Sequence, residues 1–116
     1  RLASALNARG LPGVRFYPVS FTPRSSTYAG QDCGGIFHII TDRRRLRPVR
    51  LGLEIAAALY RLYPGEFELA AAARLLGSRA ALDRLRSGED PAVVAAEWAA
   101  GEAAWRELRA PYLLYE

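Results

Sequence analysis

The chain holds a single cysteine, Cys33, and a single histidine, His38. A metal centre takes three or four convergent ligands, and no second cysteine or histidine is available to join this pair. A cysteine nucleophile needs a base in hydrogen-bond reach and surroundings that lower its thiol pKa. His38 is the sole imidazole for that role, and nothing else completes the arrangement. His38 lies in an apolar run, where it reads as a core or edge histidine satisfied by one hydrogen bond. Cys33 reads as a small apolar residue. Glycoside hydrolysis normally needs two carboxyl groups roughly 5–10 Å apart. Glu54, Asp83, Glu97, Glu102 and Glu107 fall in helical patterns and are expected to be solvated. Asp32 and Asp42 lie in or near loops, but a single loop acid makes no pair. Ser20, Thr22, Ser25, Ser26 and Thr27 have no G-x-S-x-G context. Trp98 and Trp105 are expected in the core rather than as a sugar platform. No catalytic residue, metal or cofactor is therefore expected within this chain.

Two features remain. "DRRRLRPVR" gathers Arg43, Arg44, Arg45, Arg47 and Arg50, whose guanidinium forks suit phosphate or carboxylate. This cluster precedes a helix, where the dipole disfavours cations, and it lacks the interleaved aromatics that single strands prefer. A solvated surface is the favoured reading, with an anion- or nucleic-acid-binding module as the alternative. The second feature is "FYPVSFTPRSSTYAGQDCGG", Phe16 to Gly35. It is too long for a tight hairpin turn. Phe21 and Tyr28 offer flat faces, Arg24 a fork, and Gly30, Gly34 and Gly35 close backbone approach. Long loops are often functional, but the same residues can also shape a buried crossover, and composition leaves both open.

The surrounding elements follow from pattern. "LASALNARG" reads as a helix with Gly10 just past its end and Pro12 preventing its resumption. "VRFYPVSF" reads as a strand, with Pro18 marking an edge or a bulge. "GIFHIITD" is nearly continuous in apolar residues, the mark of a strand covered on both faces or central in its sheet. Asp42 is placed to cap the turn that follows. Pro48 suits the first turn of a long helix ending at Pro64 and Gly65. Val49, Leu53, Ala57 and Tyr60 form one apolar line on it; Leu51, Ile55, Leu59 and Leu62 form a second. "FELAAAARLLG" fits a short strand or a helical turn. Ser78 and Asp90 are N-cap candidates for two further helices, the last spanning "DPAVVAAEWAAGEAAWRELRAP" with Val94, Trp98, Trp105 and Leu108 on one face. The terminal "YLLYE" needs a body to dock against. The fold class is α+β: a small sheet packed by helices, with a long helix after the second strand and two carboxy-terminal helices.

The 116 residues suit one domain, and about half are apolar, which allows one ordinary core. No segment reaches the roughly 18 apolar residues of a membrane span. The net charge of +4 is carried by arginine without lysine, alongside abundant alanine, which points to codon bias rather than function. The chain opens inside a helical pattern and has no methionine, so it is expected to be a fragment of a longer protein, with anything amino-terminal cut away.

The motif F-x-P-x-S-x-x-Y-x-G-x-x-C-x-G, carried by Phe21, Pro23, Ser25, Tyr28, Gly30, Cys33 and Gly35, is joined by Thr41–Asp42 and by the Y-L-L-Y of Tyr112–Tyr115. Together they resemble the carboxy-terminal half of the NamZ-type exo-β-N-acetylmuramidases, a family long catalogued as a domain of unknown function. The resemblance covers nearly the whole chain and is weakest across "FELAAAARLLGS". It implies a parent enzyme that releases terminal N-acetylmuramic acid from peptidoglycan fragments. The catalytic carboxylate is then expected in a Rossmann-like amino-terminal half. Residues 1–116 are expected to be the carboxy-terminal auxiliary domain of a larger two-domain protein, closing the cleft between the two halves. The isolated chain is expected to be inactive. Its partners would be that amino-terminal half and a muramic acid-containing saccharide; nucleic acid and a membrane span are not favoured. A periplasmic or extracellular setting is also implied. Phe21–Gly35 would face the cleft, with Tyr28, Arg24, Phe21, Gly30 and Cys33 as the substrate-cleft candidates.

Overall fold

The computed structural model describes residues 1–115. Helix α1 (Leu2–Ala8) buries Ala3 and Leu6 and stops at Arg9, followed by Gly10 at φ +62°. That left-handed residue is one a glycine adopts without steric cost. Strands β1 (Val14–Phe21) and β2 (Cys33–Ile40) pair antiparallel, from Val14 opposite Ile40 to Phe21 opposite Cys33. They are the two arms of one long hairpin, and residues 22–32 are its tip. The length that argued against a hairpin is absorbed by a folded tip rather than a tight turn. These strands make a two-stranded sheet, so Pro18 lies on an edge where its missing N–H is tolerated. β2 is therefore neither central nor covered on both faces. Its inner side meets the core through Ile36, while Phe37 and Ile39 stand exposed.

Gly13 fixes how β2 leads onward. Its carbonyl accepts the N–H groups of Thr41 and Asp42 at 2.9 and 3.3 Å. Its φ is +78°, and a β-carbon there would overlap the Asp42 carbonyl oxygen. Asp42 Oδ1 accepts from the N–H groups of Arg44 and Arg45, capping the turn as expected. Pro48 then opens α2 (Pro48–Leu62). This helix divides the interior between two apolar clusters. Leu53 and Ala57 join Leu69, Ala81, Leu82, Leu85 and Val94 on one side. Ala58 joins Ala3, Leu6, Leu11, Val14 and Phe16 on the other. The wide apolar face of α2 has this cause: one helix is wedged between two packing partners.

Glu54, expected in solvent, is instead 0% exposed on α2. Arg9 Nε and Nη2 donate to its two oxygens at 2.7 and 3.1 Å, and Arg50 Nε lies 3.6 Å away. Two guanidinium groups compensate the buried charge, which burial alone would penalise by several kcal/mol.

The segment that fitted strand or helix is helical: a 3₁₀ turn at Leu69–Ala72 runs into the short α3 (Ala73–Leu76), which ends at Gly77 with φ +70°. Ser78 Oγ accepts the Ala81 N–H at the start of α4 (Arg79–Arg86), and Asp90 Oδ1 accepts the Ala92 N–H at the start of α5 (Pro91–Ala96). The last helix is not continuous. It breaks at Glu97–Trp98, where the Trp98 N–H bonds three residues back to the Ala95 carbonyl, and resumes as α6 (Ala99–Arg109). The break turns Trp98 against the cluster of Leu53 and Val94, whereas Trp105 and Leu108 stand exposed. Trp105 is thus not a core residue. Tyr112–Tyr115 do not dock as expected: their side chains are exposed after a final 3₁₀ turn at Ala110–Tyr112. Glu116 lies outside the described residues.

Candidate functional site

The distinctive residues of the sequence meet at the hairpin, which is held at its base by a side chain. Asn7 of α1 donates from Nδ2 to the Phe16 carbonyl at 2.8 Å and accepts the Phe16 N–H on Oδ1 at 3.0 Å. The amide thus satisfies both backbone groups of an edge residue, much as a neighbouring strand would. Phe16 can then bury its ring while β1 keeps a defined angle to α1.

The tip is organised by its own bonds. Thr22 Oγ1 donates to Asp32 Oδ1 at 2.7 Å across the neck. The Gly30 N–H donates to the Pro23 carbonyl at 2.8 Å, the Ala29 N–H to Ser26, and the Gln31 N–H to Tyr28, both at 3.1 Å. Gly30 has φ +74°, and Ser26 reaches φ +78° without being glycine. A serine in that region is uncommon and persists only where its surroundings hold it. The tip is exposed, so a buried crossover is excluded.

The five candidates are not drawn into one pocket. Phe21 and Cys33 are directly opposite on the same face of the sheet. The Phe21 ring lies over Gly35, where a β-carbon would approach Cε1 to 2.9 Å. Cys33 Sγ donates to the Gln31 carbonyl at 3.6 Å. Gly30 closes the tip, and Arg24 and Tyr28 project from it into solvent. Because successive strand residues alternate faces, Cys33 and His38 fall on opposite sides of β2. His38 sits exposed opposite the buried Phe16, so the two cannot act as a nucleophile–base pair. Among the described residues no cluster of three metal-ligating side chains forms.

The concave surfaces lie away from the tip. A groove of about 350 Å³ at the start of α2 is lined by Arg47, Arg50, Trp98, Glu102 and Arg106. A second, of about 430 Å³, runs along apolar residues of α2 including Leu53, Ile55 and Leu59, and reaches Phe67 and Leu76. The first is electrostatically half-neutralised, since Arg50 faces Glu54 and Arg106 lies 3.6 Å from Glu102. Arg50 is thereby withdrawn from the arginine cluster, whereas Arg43, Arg44, Arg45 and Arg47 are exposed.

The acids are largely occupied by structure. Glu54 pairs with Arg9 and Arg50, and Asp90 combines its capping role with an Arg9 contact at 2.5 Å. The Arg9 hydrogen bond, then the Ala92 N–H, hold the Asp90 carboxyl below the usual carboxylate range. Arg84 bonds to Glu89 and Glu97 and lowers the Glu89 carboxyl in the same way. Arg9 and Arg84 are in turn pushed above the ordinary guanidinium value by these acids. Sequence reasoning missed Asn7, Glu54 and this groove. A faint signal existed for Glu54, because Arg50 precedes it by one helical turn.

The fold and the hairpin define an α+β domain whose distinctive residues sit on a shaped, exposed tip rather than in an enclosed pocket. The chain belongs to the family "Exo-beta-N-acetylmuramidase NamZ, C-terminal", which matches residues 1–115. It is similar to the peptidoglycan beta-N-acetylmuramidase NamZ of Bacillus subtilis (strain 168), with 40% identity over 67 residues, 58% of this chain and 16% of that protein. Its fold is similar to the crystal structure of a DUF1343 family protein from Bacteroides fragilis NCTC 9343, with a TM-score of 0.80 at 23% identity. That likeness covers 99% of this chain and 32% of the other. The chain therefore spans well under half the length of either relative.

Proposed function

We propose that this domain is the auxiliary, cleft-forming part of a peptidoglycan-fragment glycoside hydrolase, an exo-β-N-acetylmuramidase releasing terminal N-acetylmuramic acid. The observation that carries the reading is the family match across residues 1–115, together with a relative whose printed activity is that of a peptidoglycan β-N-acetylmuramidase. The principal catalytic residues belong, in this reading, to an amino-terminal Rossmann-like half of the parent protein. The structural occupation of Glu54, Glu89 and Asp90 supports it, since none is free to act as acid or nucleophile. The hairpin tip supplies one wall of the cleft, with Tyr28 and Arg24 toward the saccharide and Thr22–Asp32 holding the tip in shape. The parent acts where peptidoglycan fragments occur, in the periplasm or outside the cell.

The experiment is hydrolysis of a chromogenic N-acetylmuramic acid glycoside by the full-length parent protein. Release of the chromophore is expected, and Tyr28→Ala is expected to reduce turnover with unchanged thermal unfolding. A full-length protein inert on such glycosides would overturn the reading; unchanged kinetics in the variant would remove Tyr28 from the cleft.

A second reading draws on the exposed Arg43–Arg45 and Arg47 beside the groove of Arg106 and Trp98: an anion- or nucleic-acid-binding module. It requires binding that weakens steeply with salt and is lost in an Arg43–Arg45 serine variant. No binding by the wild type at low salt would end it.

A further inference from the structure

The outer face of the hairpin is apolar and bare. Val14 and Phe16 point to the core, so the alternate residues point away from it. That outer set is Tyr17, Val19 and Phe21 on β1, with Cys33, Phe37 and Ile39 on β2. Tyr17 lies directly opposite Phe37, a cross-strand aromatic pair. Tyr17, Phe21 and Phe37 are 53%, 51% and 59% exposed. Arg15, opposite Ile39, is the charged residue of this face and sits at one end of it.

Two observations say what covers such a face. First, β2 is apolar nearly throughout, the pattern of a strand buried on both sides, yet within this domain it meets the core only on its inner side, through Ile36. A two-stranded sheet with an uncovered apolar face is marginal by itself. Second, the similar fold from Bacteroides fragilis contains this whole domain within 32% of its chain, so most of that chain lies outside the domain. We propose that the outer hairpin face is an interdomain contact, seated against the polypeptide that the full-length parent carries outside this domain. The proposal deepens the two-part reading above. It assigns the two sides of the hairpin's function to different places: the arms hold the neighbouring part through Tyr17, Phe37 and Ile39, and the tip remains for the cleft. The aromatic pair is then an anchor excluded from water, not a saccharide platform.

The test is hydroxyl-radical footprinting of the full-length protein without saccharide, reading Tyr17, Phe21 and Phe37 by peptide mass spectrometry against the same residues in urea. The domain alone leaves each of these residues about half exposed, so an uncovered face would label at about half the unfolded rate. Labelling several-fold lower than that, independent of protein concentration, is expected. Labelling at about half overturns the proposal. Protection that disappears on dilution assigns the face to a second copy and also overturns it, as does protection that arises only on adding a muramic acid saccharide. A Phe37→Ser variant in the full-length protein is expected to restore labelling at Tyr17. Tyr17 remaining protected in that variant, with the thermal transition unchanged, counts against the contact. Glycosidase activity is measured separately, so an inactive but protected protein would sink the functional reading while leaving this interface standing.

Discussion

Arg9 and Glu54, far apart in sequence, meet as a two-point ion pair: Nε and Nη2 of the guanidinium reach both oxygens of a carboxylate with 0% exposure. The same guanidinium extends to Asp90 at the start of α5. One side chain thus ties the end of α1, which packs on the hairpin, to α2 and α5.

Removing one partner of this pair is expected to cost far more than its contact suggests. Arg9→Ala leaves Glu54 buried with only Arg50 at 3.6 Å, and destabilisation of about 3 kcal/mol or more is expected. The double variant Arg9→Met with Glu54→Leu should recover most of that loss, because no charge is then left buried. Urea unfolding of the three proteins checks both statements. A loss below about 1 kcal/mol in Arg9→Ala would mean that water reaches Glu54.

Gly13 and Gly10 offer a matched comparison. Both have positive φ, +78° and +62°, but only Gly13 has backbone where a β-carbon would go. Gly10→Ala should cost about 1–2 kcal/mol from conformation alone. Gly13→Ala should cost clearly more, since the Asp42 carbonyl and the turn into α2 must also move. Equal losses in chemical denaturation would show that the Gly13–Asp42 approach relaxes freely.

Asn7→Ala strips Phe16 of both backbone partners at once. A loss of about 2 kcal/mol is expected, with amide exchange at Phe16 accelerating more than at Leu82 in the other cluster. Asn7→Asp keeps the acceptor for the Phe16 N–H and loses the donor to its carbonyl, so it should fall between wild type and alanine. If aspartate behaves as wild type, the bond to the carbonyl contributes little.

Acid should weaken the α1–α5 tie before it unfolds the protein. Folding lowers the Asp90 carboxyl, first through Arg9 and then through the Ala92 N–H. A carboxyl lowered in this way contributes its full stability above the unfolded pKa of about 3.9. That contribution is lost as pH falls through the lower folded value. Asp90→Asn retains a capping oxygen but not the charge. Its deficit relative to wild type should be present at neutral pH, modest at about 1 kcal/mol or less for a half-exposed pair, and should vanish in acid. Thermal melts of both proteins from neutral pH down to about pH 2 measure it. A deficit that persists unchanged in acid would separate it from the Asp90 charge.

Much of the fold was legible because it rests on contacts within a turn or two of chain. Gly10, Pro48, Ser78 and Asp90 announce helix ends through backbone conformation or a bond to a near neighbour, and each stands where that chemistry placed it. The tip motif could be recognised residue by residue, but its shape could not. The Thr22–Asp32 and Pro23–Gly30 bonds exist only once the two strands have paired. The break at Glu97–Trp98 was hidden for a similar reason: the local pattern suits one helix, and the pull of Trp98 toward Leu53 and Val94 comes from elsewhere in the chain.

The sequence by itself determined the class of domain, both strands, the long helix and its family, because periodicity, caps and a spaced motif are properties of the linear chain. Only the tertiary structure decided that Glu54 is buried, that Asn7 completes β1, that Cys33 and Phe21 share a face away from His38, and that this face is bare. Each of these depends on which distant residue arrives opposite, and a carboxylate or an aromatic reads the same in sequence whether it meets an arginine, a neighbouring domain or water.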